Sequence, residues 1–215
     1  MVWKYLLGIF MVVVILGSFF YAQPALGLGE VSRIIYYHVP AAWVAVLAYL
    51  VAMVSALRYL RTRDISHDTA AAISAELGTL FAVVATVTGA VFAKVTWGAY
   101  WNWDPRQTSI TVLLLIYGAY FALRSAVDDD QRRAGLSSVY AILAFFTVPF
   151  LVFVVPRVYA SLHPDPILNV DKKINMDARM LQVFLASLAG FTGLYSWMYS
   201  LKLRIYRMLR ERTGV

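Results

Sequence analysis

Apolar residues come in six long blocks, and the short stretches between them hold most of the charge. The blocks run roughly over 3–22, 40–59, 73–95, 109–124, 136–155 and 178–201. A helix needs about 20 mostly apolar residues to cross the hydrocarbon core of a bilayer. The fourth block, the shortest, reaches that length only when its polar edges are counted. Exposed backbone groups go unsatisfied in hydrocarbon in any open structure other than a helix. The pattern therefore predicts an all-α integral membrane protein: one polytopic domain over 1–215 with six transmembrane helices. The first block could be mistaken for a cleaved leader. However, Phe20-Tyr21-Ala22 puts a bulky residue where an A-x-A-like triplet needs a small one, so the block reads as an uncleaved first helix.

Composition strengthens this reading. The chain is 61% hydrophobic and 14% charged, against about a quarter charged in soluble domains. The formal net charge of +7 fits a membrane orientation better than nucleic acid, because Lys and Arg collect on the cytoplasmic side. Lys4, Arg58, Arg61, Arg63, Arg124, Arg132, Arg133 and the tail from Lys202 to Arg212 fall on one side if six helices alternate. That side is predicted to be the cytoplasm and to hold both termini. Three segments then face outward, roughly 23–39, 96–108 and 156–177. The absence of cysteine excludes disulfides, thiolate metal sites and a C-x-x-C-H haem attachment. There is no G-x-x-x-x-G-K-[ST] sequence for an ATPase, and no nucleophile–base pair that would make a hydrolase.

The second outward segment reads TWGAYWNWDPRQT. Trp97, Trp101 and Trp103 lie within seven residues, together with Gly98, Tyr100 and Asp104. Tryptophan and tyrosine favour the membrane–water boundary, but this density exceeds what an aromatic belt requires. Three such rings can make an apolar shelf for a flat ligand. Pro105 suits the first turn of the fourth helix, and Asp104 suits its N-cap or the orientation of a neighbour.

The flanking outward segments each carry one histidine. His38 precedes Val39-Pro40, and a proline disfavours helix just before it, so His38 is expected at a boundary. His163 sits between Leu162 and Pro164 in an irregular loop. The third histidine, His67, belongs to the basic side. Haem iron accepts an imidazole on each face, and the propionates of a porphyrin want guanidinium partners. Arg33, Arg106 and Arg157 all fall on the same side as the two histidines. One ligand, a haem, would explain the tryptophans, both histidines and the arginines.

These residues carry a family resemblance. WGAYWNWDPRQTS resembles the tryptophan-rich signature of the membrane haem-handling proteins of cytochrome c biogenesis. Its continuation Asp104-Pro105-Arg106-Gln107-Thr108-Ser109 resembles the haem exporter C family of cytochrome c maturation, as do RIIYYHVPAAW and SLHP. The resemblance implies a bacterial inner-membrane protein holding non-covalent haem b at the periplasmic face, with His38 and His163 as axial ligands. It also implies that Trp97, Trp101, Trp103 and Asp104 form a haem-presenting loop. Haem would pass to a membrane-tethered periplasmic haem chaperone, with ATP-binding cassette (ABC) transporter subunits and a small one-helix membrane protein as associates. Such a protein binds and transfers haem and has no enzymatic site of its own. Three readings compete: a bis-histidine b-type cytochrome that transfers electrons, a transporter for something other than haem, which would want polar groups or broken helices near the midplane, and a docking subunit of a transporter complex that binds no haem.

Further expectations concern single residues. Ala186/Gly190 and Ala189/Gly193 predict close packing of the last helix within the chain. Glu76 and Lys94 should snorkel to the interface. Asp128-Asp129-Asp130 reads as a solvated loop, and Pro149 should kink the fifth helix.

Overall fold

The computed structural model describes residues 2–163 and 176–213. Among them are six helical segments long and apolar enough to cross a membrane. The helices are α1 (Val2–Leu16), α2 (Ile35–Thr62), α3 (Ile65–Trp97), α4 (Pro105–Ala126), α5 (Asp130–Pro149), the single turn α6 (Val155–Val158) and α7 (Ala178–Thr213). The α1 span continues as a π-helical turn through Tyr21, and α5 reaches α6 through another, Phe150–Val154. That second turn follows directly on Pro149, whose missing N–H disturbs the hydrogen-bond ladder as expected.

Most of the helices outrun the apolar blocks, because helical hydrogen bonding continues into the polar interface where hydropathy has already fallen. Capping side chains set several of the true starts. Asp64 accepts from Ser66 N at 2.9 Å, Asp104 from Arg106 N at 2.9 Å, and Asp129 from Arg132 N at 2.7 Å. Asp128 and Asp129 are exposed and non-helical, as expected of a solvated loop; Asp129 also caps α5, and Asp130, its first residue, pairs with Arg133. Glu76 pairs with Lys202, and Lys94 donates to Gly98 O at 2.9 Å.

The largest boundary change is at α2. Expected near Pro40, it begins at Ile35 after a 3-10 turn, Glu30–Ile34. Pro40 cannot donate to the carbonyl of Tyr36 one turn earlier. The Ser187 hydroxyl from α7 donates to that carbonyl instead, so the helix passes through the proline with its acceptor satisfied.

α2 is the hub, packing against α3, α5 and α7, while α1 leans on α7. The α2–α3 contact is built from small residues. Ala41, Ala45, Ala48, Ala52 and Ala56 meet Ala71, Ala75, Ala82 and Ala85, all buried. In lipid, such residues let backbones approach and gain dispersion contact. Tyrosines fill the wider gaps: Tyr49, Tyr59, Tyr117 and Tyr120 are fully buried, with Tyr49 and Tyr117 stacked at 3.6 Å between centroids. Gly190 and Gly193 pack against Met11, Phe10 and Leu7 of α1, so the small-residue stripe serves packing within the chain. At the end of the bundle remote from the tryptophans, buried Asp68 of α3 accepts both arms of Arg124 of α4, at 2.6 and 2.9 Å.

Gly78 sits where α3 comes closest to the tyrosine stack. A Cβ there would lie 2.8 Å from Cε1 of Tyr49, a ring held by Tyr117 and by Thr79 at 3.1 Å. Gly78→Ala should therefore destabilise by about 1–3 kcal/mol, as overpacking does, and should lower the thermal midpoint of the detergent-purified protein. An unchanged midpoint would show that the ring yields freely.

Candidate functional site

Four residues from different parts of the chain converge at the tryptophan end of the bundle. His38 of α2, Gly89 of α3, Arg106 of α4 and His163 line two adjoining cavities. The inner cavity lies among α2, α3, α4 and the Phe150–Val154 turn, with about 810 Å³ of atom-free space. The outer one reaches toward Ala25, Leu28 and Met180, with about 1110 Å³. Both are mainly apolar. The two histidines stand where the cavities meet.

His38 does not lie in a loop. The early start of α2 places it inside the helix, half-buried. Its Nδ1 lies 3.0 Å from Ala85 O and 3.1 Å from Thr88 Oγ1. A carbonyl only accepts, so Nδ1 carries the proton and Nε2 keeps the lone pair that a metal would use. Gly89 leaves room for the ring: a Cβ there would stand 2.9 Å from Cε1 of His38. Sequence reasoning missed Gly89, Ala85 and Thr88. Their signal was the small-residue run on α3, which carries no chemistry until α2 is laid beside it.

His163 lies in non-helical backbone, as expected, and is held by Asp104. That carboxylate is 5% exposed and collects donors from two segments. It caps α4, then accepts from Ser161 Oγ at 3.0 and 3.1 Å and from Leu162 N at 2.7 Å, and meets His163 Nδ1 at 3.1 Å. Burial raises its pKa. The hydrogen bonds from Leu162 N–H and Arg106 N–H, with His163 and Ser161, outweigh that and hold it below the usual carboxylate range. Asp104 is therefore ionised at neutral pH, and a histidine donating through Nδ1 to a carboxylate is the arrangement that orients imidazole for metal ligation. Asp104 fills both roles expected of it, cap and orienter.

The tryptophans divide the work. Trp97 packs edge-on against His163 at 4.7 Å and against Phe92 at 5.6 Å. Trp101 lines the inner cavity. Trp103, at φ +54°, is 71% exposed and stands at 89° to Trp101. The three rings therefore do not form one flat shelf. Gly98 takes the left-handed conformation that ends α3, at φ +83°. Tyr100 is exposed beside Lys94. Gln107, part of the motif but given no role from the sequence, holds the turn from inside. It accepts from Asn102 N at 2.8 Å and donates to Tyr100 O at 3.2 Å.

Comparison with known proteins gives the family. The family described as heme exporter protein C matches residues 1–214. The chain belongs to the heme exporter protein C family. The heme exporter protein C of Rhodobacter capsulatus is 32% identical over 193 residues, which is 87% of this chain and 77% of that protein. That of Escherichia coli K12 is 29% identical over 184 residues, 86% of this chain and 74% of its own. A putative cytochrome c biosynthesis ccmC-like mitochondrial protein of Marchantia polymorpha is 31% identical over 170 residues, 78% and 71% respectively. Membership is consistent with haem handling in cytochrome c maturation and implies a maturation complex as the setting.

Not every residue expected at the site of this haem exporter family member is brought to it. Arg106 lines both cavities, but Arg33 and Arg157 line neither. Arg33 is engaged with Glu30 at 2.5 Å and with the carbonyls of Ser18 and Ala22. It fastens the end of the α1 span. Arg157 donates to Phe153 O, one turn back. His67 lies in the first turn of α3, about 30 Å along the helix from Thr88. Lys172, Lys173 and the rest of 164–175 lie outside the described residues.

Asp104→Ala should release the 161–163 segment. Hydrogen exchange at the Leu162 amide should speed up about tenfold or more, the loss of a hydrogen bond to a charged acceptor. Exchange unchanged from the parent would mean that other contacts hold the segment.

Proposed function

We propose that this protein binds haem b at the periplasmic face of the bacterial inner membrane, between His38 and His163. It then hands the haem to a membrane-tethered periplasmic chaperone. One observation carries the reading: two histidines from distant parts of the chain line the same two cavities, each with Nδ1 engaged by an oxygen acceptor. That makes Nε2 the nitrogen each ring would offer to iron, the donor set a bis-histidine haem requires. Trp101 walls the inner cavity, and Arg106 is the guanidinium within reach of a propionate. The basic residues Arg58, Arg61, Arg63, Arg132 and Arg133 gather at the opposite end of the bundle. This supports a periplasmic site by the positive-inside rule.

The two ligands are held differently. His38 is fixed within α2 and hydrogen-bonded to α3. His163 hangs from a short irregular segment gathered on one carboxylate. Movement of that segment removes one axial ligand without disturbing a helix. A protein that must grip haem and then release it needs that asymmetry. Exposed Trp103 and Tyr100 offer the chaperone an aromatic contact beside the cleft. The chain supplies binding and orientation, and ABC transporter subunits with a small one-helix protein supply the energy-driven steps.

The placement of His38 inside a helix favours one rival, the b-type electron-transfer cytochrome, more than the sequence did. Release separates the two. Haem on this protein should pass to an apo-acceptor within the time of mixing, and a cytochrome should retain it.

Purified protein should show a bis-histidine haem spectrum, with His38→Ala and His163→Ala each abolishing the six-coordinate form and His67→Ala leaving it intact. A spectrum indifferent to both outward histidines, or no haem at all, would discard the site and leave the docking-subunit reading.

A further inference from the structure

The two cavities differ in what they offer a tetrapyrrole, and the difference assigns its orientation. Both cavities border both imidazoles, so a ring held between the two histidines would have space on the side of each cavity. Haem has two edges of unlike chemistry: one bears both propionate carboxylates, and the other bears only apolar substituents. Histidines apart, Arg106 borders both cavities and does not discriminate. The other hydroxyls do. The outer cavity has Ser32, whose proton is already committed to Gly29 O at 2.6 Å and whose oxygen accepts from Ala25 N at 2.9 Å. The rest of its side-chain lining is apolar, including Leu28, Ile35 and Phe92.

The inner cavity has Ser109. Its side chain is 5% exposed, and its Oγ has no hydrogen-bond partner among the described residues. It does not make the bond to the preceding helical turn that Thr111 makes to Gln107 O. A buried hydroxyl left unsatisfied is costly, and this one borders a cavity that adjoins both proposed iron ligands. Ser109 also lies on α4 one turn beyond Arg106, so the two side chains share a face of the helix. The other polar side chains of that wall are committed: Thr86 Oγ1 donates to Ala82 O at 2.8 Å, and the Gln107 amide holds the Tyr100–Asn102 backbone. A hydroxyl donor and a guanidinium on one face of α4, at the wall of a mainly apolar cavity, form a carboxylate receptor.

Resting on the haem reading above, we propose that the carboxylate edge of the tetrapyrrole enters the inner cavity and is received by Ser109 and Arg106. The apolar edge then fills the outer cavity, bordered by the Ala25–Leu28 turn. The edge presented outward is the one without charge. Ser109 is thereby a ligand-binding residue that selects orientation by hydrogen bonding.

The test is equilibrium titration of the detergent-purified full chain with iron protoporphyrin IX and with its dimethyl ester, for the parent, Ser109→Ala and Ser109→Thr. Ser109→Ala should weaken binding of the free acid about tenfold, the size of one hydrogen bond to a charged group. It should leave the ester unchanged and preserve the axial spectrum, and Ser109→Thr should restore the parent affinity for the acid. Equal effects on acid and ester, or none on either, would overturn the orientation while leaving the histidine site standing. Failure of the parent to take up either compound would overturn the haem reading and this assignment with it.

Discussion

The architecture of the tryptophan end depends on a single carboxylate. Asp104 terminates the turn after α3, starts α4, and gathers Ser161, Leu162 and His163 from a segment more than fifty residues away. A buried charge is tolerated only when its oxygens are met by donors. Here two backbone amides, a hydroxyl and an imidazole meet them. The charge costs desolvation energy, and the donors it gathers turn that cost into position. Without it, α4 would lack its cap and His163 would lack its bearing. Gln107 does the neutral counterpart of this work one turn along, where its amide keeps the Tyr100–Asn102 backbone in place.

Below that end, the bundle is held by close approach more than by bulk. Alanines on α2 and α3 bring two backbones together, and hydroxyls bond across the gap, as Ser74 does to Ala48 O at 2.7 Å. Fully buried tyrosines occupy the wider spaces toward α4 and α5. Little of this packing draws on a hydrophobic driving force, since lipid tails are as apolar as the core. Shape and hydrogen bonding select the arrangement instead.

Much of this was legible in the sequence. Hydropathy located all six spans, because burial in hydrocarbon leaves no choice of backbone structure. The Asp104-Pro105 start of α4 was legible because capping is local chemistry. The convergence of His38 and His163 was legible only as a juxtaposition of outward segments. The start of α2 was not. Pro40 argued for a boundary, and the hydroxyl that repairs its defect belongs to Ser187, 147 residues further along. Arg33 and Arg157 looked equivalent to Arg106 by side of the membrane. Their different fates were decided by Glu30 and by local carbonyls, which topology does not reveal. Gly89 looked like helix filler, and Ser109 was only the last residue of a motif, until neighbouring helices gave them a cavity to face.

The Asp68–Arg124 pair has a mechanical meaning for the site at the other end. It clasps the start of α3 to the end of α4, while the short Gly98–Asp104 turn joins the end of α3 to the start of α4. The two rods are thus pinned to each other at both tips. His38 takes its bearing from the first rod and His163 from the second. Rods pinned at both tips cannot splay apart like scissors. The gap between the imidazoles can widen only if a rod bows or the 161–163 segment slips its moorings, and the slip is the softer of the two motions.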